Sequence, residues 1–333
     1  MRIERRKVVV NFKPFSGGTK KPETKFIRGA ANTKTIDSNT EGLHSSMQSK
    51  WRQIDLVNSI DTNLVLVCGI AEHTVPDVYE CHFWYNQLAL ILDGEMVIQD
   101  MDTLEVFHAH RGDLYYWAPG HRHRHGGIFR ALFIKTPVPT RWVSQSKGKL
   151  GFDVLHLEDE LLYEASKPDK ILTVGPKINV PERKLMKFVE GVLDIKPKID
   201  MRSTSALSQV DVINPEDTNL NLVAGVAEYD SDTPLECDHR WHQIAMVIEG
   251  EAVSEDVETG KIYVGRKGDL FYWPPGLRHK THGHFRAYNM QTPVRRRWIS
   301  TPQGQRMMDM FQLDNEMVYP PSPPDKVLKD LMS

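Results

Sequence analysis

The feature that most constrains this chain is that it contains itself twice. Residues 53–172 and 209–328 align without a gap at a constant offset of 156, with 50 identities in 120 positions. Unrelated segments of ordinary composition would share on the order of 7. Shared stretches include "DTNL" at 61–64 and 217–220, "GDL" at 112–114 and 268–270, "FRA" at 129–131 and 285–287, and "TPV" at 136–138 and 292–294. Two units of that length are too long and too few for a solenoid. They predict two similar domains, each with its own core, at 51–172 and 208–333. Residues 1–50 lie outside the repeat, are rich in Gly, Lys, Thr, Asn and Ser, and predict an extended arm. Residues 173–207 are the linker, and "PERKLMKFVEGVL" (181–193), with Pro near its start and spaced apolar residues, predicts one short helix.

Inside each copy the signals are β. "NLVLVCGIAE", "QLALILDGEMVIQD", "DLYYWAPG" and "IFRALFIKTP" are short β-branched or aromatic runs punctuated by Gly, Pro and Asp. Their spacing predicts an all-β sandwich or barrel. "LHLEDELLYEA" (155–165) and "FQLDNEMVYPP" (311–321) predict a short helix closing each copy.

Composition excludes several function classes. A formal net charge of −2, with no basic helix or nucleic-acid motif, argues against a nucleic-acid partner. No apolar run reaches the length of a membrane span, and the N-terminus lacks a cleavage site of the secretory kind, so the expected location is cytoplasmic. Three cysteines, Cys68, Cys81 and Cys237, are too few for a disulfide scaffold. Cys81 and Cys237 occupy equivalent places in separate domains, which predicts that they do not bridge.

The chemistry-bearing residues gather before Gly250 and after Gly268. "CDHRWHQIAMVIEGE" (237–251) begins with ligand-type side chains and ends as an apolar strand. Gly268, Pro274, Gly276 and His279 match the pattern G-x5-P-x-G-x2-H, and copy one offers Gly112, Gly120 and His123 with Ala118 at the proline position. In these motifs the chain resembles the cupin superfamily, specifically a two-domain bicupin. The resemblance implies two tandem jelly-roll barrels with short peripheral helices, and a metal held inside a barrel. Counting back from Gly250, the family's acidic ligand position is Gln243, with His239 four residues earlier and Cys237 in place of the first His. The same positions of copy one hold Gln87, Phe83 and Cys81. The family's longer spacing would instead use Glu236 and Asp238 in copy two, and Glu80, His82, Gln87 and His123 in copy one.

Strand alternation puts residues 237, 239, 241 and 243 on one face, so His239, Gln243, His279 and Cys237 are the first candidate metal set. Imidazole and carboxamide donors suit Fe, Zn, Ni or Mn, and an anionic substrate would balance the ion's charge. The resemblance implies a metal-dependent enzyme, Fe(II) and a dioxygenase reaction first, acting on a small organic acid or phenol. In that scheme Arg286 or Tyr288 orients the substrate and Trp273 walls the pocket. A Zn, Ni or Mn lyase, isomerase or hydrolase is the alternative, with His242 or Asp238 moving the proton. A non-catalytic small-molecule-binding bicupin is the third reading, in which the histidines are buried and hydrogen-bonded. His121 and His125 of the "HRHRH" run are expected at the turn and rim, because only His123 holds the motif position. Exchange of the N-terminal arms would give a homodimer.

Overall fold

The computed structural model describes residues 22–37, 51–136, 186–197 and 206–292 with short gaps, and isolated strands at 142–144, 150–152, 160–162, 298–300, 306–308 and 316–319. The chain is all-β: two tandem jelly-roll barrels built from antiparallel sheets. In copy one the larger sheet has the spatial order Met186–Val189, Leu114–Trp117, Asn86–Gly94, Phe129–Thr136, Val67–His73, Trp51–Val57, Ile36–Asp37. The smaller sheet runs Glu160–Leu162, Tyr79–Phe83, Arg122–Gly126, Met96–Asp100, Val106–Ala109. In copy two the strands Val223–His239, His242–Asp256 and Arg278–Thr292 each pass through both layers without a break. Gly250 turns the second of them at φ +78, where an added Cβ would stand 1.9 Å from the His284 carbonyl oxygen. Only glycine fits that corner.

The apolar runs identified in the sequence are buried on both faces, as in Leu114–Trp117 and Leu270–Trp273. One face lines its own barrel; the other packs against the second copy. The largest hydrophobic cluster therefore belongs to both copies, uniting Leu88, Leu90, Tyr116 and Ile134 with Ile244, Met246, Tyr272 and Met290. The expectation of two separate cores is corrected accordingly: each barrel keeps a smaller cluster of its own, and the main core lies between them. Thr136 and Thr292, equivalent across the repeat, meet there at 3.2 Å between hydroxyl oxygens. The Tyr116 hydroxyl donates to the Asp217 carbonyl oxygen at 3.2 Å and the Tyr272 hydroxyl to that of Asp61 at 3.4 Å, so the contact is close to two-fold symmetric.

The segments preceding the copies cross over. Lys25–Ile27 adds a strand to Leu270–Tyr272 of copy two, and Met186–Val189 adds one to Leu114–Trp117 of copy one. Gly29 N–H donates to Asp269 and Gly191 N–H to Asp113, at 2.6 and 2.7 Å, with both glycines left-handed near φ +60. Over its described residues 186–197 the linker is thus a strand followed by a 3-10 turn at Val192–Asp194, where its spacing predicted a helix. The open edge of Leu114–Trp117 outweighs local helical preference, and Phe188 stacks on Tyr115 at 4.8 Å between centroids. The N-terminal arm is part of the duplication as well: "KFIRG" (25–29) and "KFVEG" (187–191) play the same role, and the arm exchange takes place within one chain. The two predicted closing helices are strands where described: Glu160–Leu162 pairs with Tyr79–Phe83, and Glu316–Tyr319 with Val223–His239. The remainder of both lies outside the described residues.

Candidate metal centre

Copy one concentrates its donor atoms on two paired strands. His123 stands opposite Cys81 and His125 opposite Tyr79. Alternation along 121–125 sends the three histidines inward and Arg122 and Arg124 outward, where both arginines bond Glu80. Cys81, His123 and His125 are all buried, and one donor atom from each lies within 4.8 Å of the others. The closest pair is Cys81 Sγ and His125 Nδ1 at 3.6 Å. Donors around a tetrahedral ion with bonds of 2.0–2.3 Å are separated by about 3.3–3.8 Å, so the triad fits a transition ion with only a small closure. Burial pushes the His125 pKa down to about 3, so its ring is neutral and a lone pair is available. All three cysteines are thiols rather than disulfide halves, so the Cys81 sulfur keeps the lone pairs that coordination requires.

Aromatic rings surround the triad. Trp117 stacks on His123 at 4.8 Å, and His121 continues the stack at 5.4 Å. The Tyr79 and Tyr115 hydroxyls and the Gln87 Oε1 atom are buried without a hydrogen-bond partner. Burial raises the Tyr79 pKa to about 12 and that of Tyr115 further, so both phenols remain neutral donors. A second set, Asp100, Asp102 and His121, lies beside the first. There Asp100 Oδ1 already accepts the backbone N–H groups of Asp102 and Thr103 and serves a turn.

Several sequence-based assignments fall elsewhere. Glu80 sits on the opposite face of its strand from Cys81, paired with Arg122 and Arg124 rather than inside the barrel. His82 occupies the register position opposite Arg122 and Leu161. His125, expected at the rim, is buried inside. The signal was present: His123 and His125, at alternate positions of the strand Arg122–Gly126, share a face, whatever the motif position of either.

In copy two, Cys237, His239, Gln243, Trp273 and His279 do line one cavity. His239, Trp273 and His279 form a parallel stack, with centroids 4.6 to 5.5 Å apart. Gln243 Oε1, the expected ligand atom, instead accepts from Trp241 Nε1 and Gln291 Nε2, each at 3.2 Å. Among the described residues, both compact donor groups belong to copy one, so the order of preference between the barrels is reversed.

His242 lies outside the cavity, between the copies, with Nδ1 hydrogen-bonded to the Tyr272 hydroxyl at 2.8 Å. Asp238 takes the opposite parity to Cys237, beside Arg278, and does not line the cavity. Tyr288 belongs to the core shared by the copies. Arg286 grips the crossed linker, donating to the Ile195 carbonyl at 2.7 Å and to Glu249 at 3.0 Å. Arg130 does the same for the N-terminal arm through the Ala31 and Thr33 carbonyls, with Glu72 as its ion-pair partner. These two arginines are structural clasps.

Fold and site together define a double-barrelled β-protein with two compact groups of metal-ligand-type side chains in copy one among the described residues. No protein-family model matches the sequence, and no curated protein matches it. Among solved structures, a variant of Bacillus subtilis oxalate decarboxylase and a study of that enzyme's Mn(II) centres each align at 12% identity, over 84% of this chain and 79% of theirs, with a TM-score of 0.49. No helix among the described residues is long and apolar enough to cross a membrane.

Proposed function

We propose that the chain is a metal-dependent enzyme in which copy one does the chemistry, with Cys81, His123 and His125 holding the ion. The observation that carries this reading is the buried donor triad, drawn from two paired strands within 4.8 Å. Bound there, a transition ion would supply Lewis acidity and, if it is iron, electron transfer to oxygen. A coordinating thiol is deprotonated, and with two neutral imidazoles this leaves one positive charge of a divalent ion. A monoanionic substrate balances it, which supports a carboxylate or a phenolate of small size. Tyr79 and Tyr115 would donate hydrogen bonds to that substrate from neutral phenols, and Gln87 Oε1 would accept one. Trp117, Tyr115 and Phe129 keep the interior apolar and exclude water.

Three protein donors leave coordination positions open, which supports Fe(II) and dioxygenase chemistry as the first specific form. The sulfur donor supports a second form, a zinc or nickel lyase, isomerase or hydrolase that uses no redox step; manganese, which prefers oxygen donors, suits this set less well.

The test is elemental analysis after loading with iron or zinc, followed by oxygen uptake with small carboxylic acids and phenols. Wild-type protein should hold about one ion per chain at this site, and Cys81→Ser or His123→Ala should lower the affinity at least tenfold. Oxygen uptake with iron and none with zinc supports the dioxygenase form; substrate turnover without oxygen supports the other. Protein that cannot be loaded, or loads equally well without Cys81 and His123, would sink the reading in favour of a non-catalytic binding protein.

A further inference from the structure

The cavity of copy two occupies the position of the copy-one site but has a different chemistry. Its volume is about 70 Å³, and none of its lining residues is a lysine, arginine, aspartate or glutamate. Of its two histidines, His239 and His279, the second is held neutral, since burial pushes its pKa down to about 3. Where copy one has His125 and Phe133, copy two has Thr281 and Asn289. Three buried polar atoms of this lining have no hydrogen-bond partner: His279 Nδ1, Thr281 Oγ1 and Asn289 Oδ1. All three side chains come from the strand Arg278–Thr292, at positions of the same parity. Other polar groups of the lining are occupied: Tyr229 donates to the Thr233 carbonyl at 2.6 Å, Trp273 to Ser254 at 3.2 Å, and Gln209 to Asp211 at 2.7 Å.

Buried polar atoms without partners are rare in folded proteins, and three in one cavity point to an occupant. With no formal charge in the walls, a charged occupant would lose its hydration without compensation. Asn289 Oδ1 can only accept, so the occupant must bring a donor. Thr281 and the neutral imidazole can donate or accept, so an acceptor on the occupant is also served. The volume is about half of the roughly 150 Å³ that admits benzene in a protein interior. We infer that copy two is a binding pocket for a small uncharged molecule carrying both a hydrogen-bond donor and an acceptor, of the primary-amide class, lodged among His279, Thr281 and Asn289. This inference does not depend on the copy-one reading.

Acetamide and acetate have nearly the same shape and differ in charge and donor. Saturation-transfer NMR on the full chain, with and without metal, should show acetamide binding with a Kd of about 1 mM, as expected for four heavy atoms. Acetate should show no transfer. Thr281→Val, which preserves shape, and Asn289→Leu should each weaken acetamide at least tenfold, with folding checked by circular dichroism. Cys81→Ser should leave acetamide binding unchanged, which separates this result from the fate of the copy-one proposal. Equal binding of acetate, no binding of acetamide, or binding indifferent to Thr281→Val overturns the inference. So does loss of a bound metal ion in His279→Phe, since the cavity would then be a metal site.

Discussion

The two barrels share a scaffold and differ in content. Both have a cysteine at the same strand position, an inward histidine from the opposing strand, and a tryptophan stacked on it: Cys81, His123 and Trp117, against Cys237, His279 and Trp273. Among the replacements that separate them, two bear directly on this donor group. Thr281 stands where copy one has His125, removing the second imidazole of the strand. His239 stands where copy one has Phe83, but its ring lies parallel to His279 at 4.6 Å. It restores a nitrogen without restoring a compact donor group. Several framework features stay matched: the crossed arms, the Asp113 and Asp269 contacts, and the tyrosine hydroxyls reaching across the interface. The duplication holds the framework constant and changes the side chains facing each interior, so a site cannot be inferred from position alone.

The largest effect expected from this comparison is a gain. Thr281→His would place an imidazole two residues after His279, as His125 follows His123. In a Cys81→Ser background, which weakens the copy-one site, the variant should bind one equivalent of zinc with affinity at least tenfold above the same background carrying Thr281, measured by titration. A variant that folds but gains no metal would show that the barrels differ by more than these side chains.

The next effect concerns the clasps. Arg130 bonds two arm carbonyls and pairs with Glu72, with both side chains mostly buried; Arg286 bonds one linker carbonyl and the exposed Glu249. Removing a buried charged donor strands its acceptors, so Arg130→Ala should cost about 2–3 kcal/mol in urea unfolding and Arg286→Ala about 1–2 kcal/mol. Equal losses, or a larger one at Arg286, would mean the two arms are not held as the contacts indicate.

Much of the framework was legible in the residues. The constant offset gave the duplication, and the alternation of apolar runs gave the β-class, because both are properties of local sequence. The arms were less legible, since "KFIRG" and "KFVEG" lie at an offset of 162 rather than 156. Their strand conformation depends on an edge supplied by the other copy. The site was misread for a related reason. Counting from a motif selected Gln243, whose oxygen is engaged by Trp241 and Gln291. It also set aside His125, whose inward direction follows from strand parity with His123. His242 and Tyr288 have the composition of site residues, and only the packing of one copy on the other reveals them as interface groups.

The smallest effect tests that last point. His242 corresponds to Asn86, and each is hydrogen-bonded to a tyrosine hydroxyl of the shared interface, Tyr272 at 2.8 Å and Tyr116 at 2.7 Å. His242→Asn should therefore change stability at pH 7 by less than about 1 kcal/mol and leave metal content untouched. Its signature is the pH dependence. Burial holds the His242 pKa at about 4 in the folded chain, below its ordinary 6.5. Between those values the unfolded chain binds the proton and the folded chain does not, so stability is complete above 6.5 and falls as the pH drops towards 4. The slope from this one group is at most about 1.4 kcal/mol per pH unit. Denaturant unfolding across that window should be shallower by up to one proton in His242→Asn. An unchanged slope would mean that His242 is protonated equally in both states, and would remove it from the dry interface.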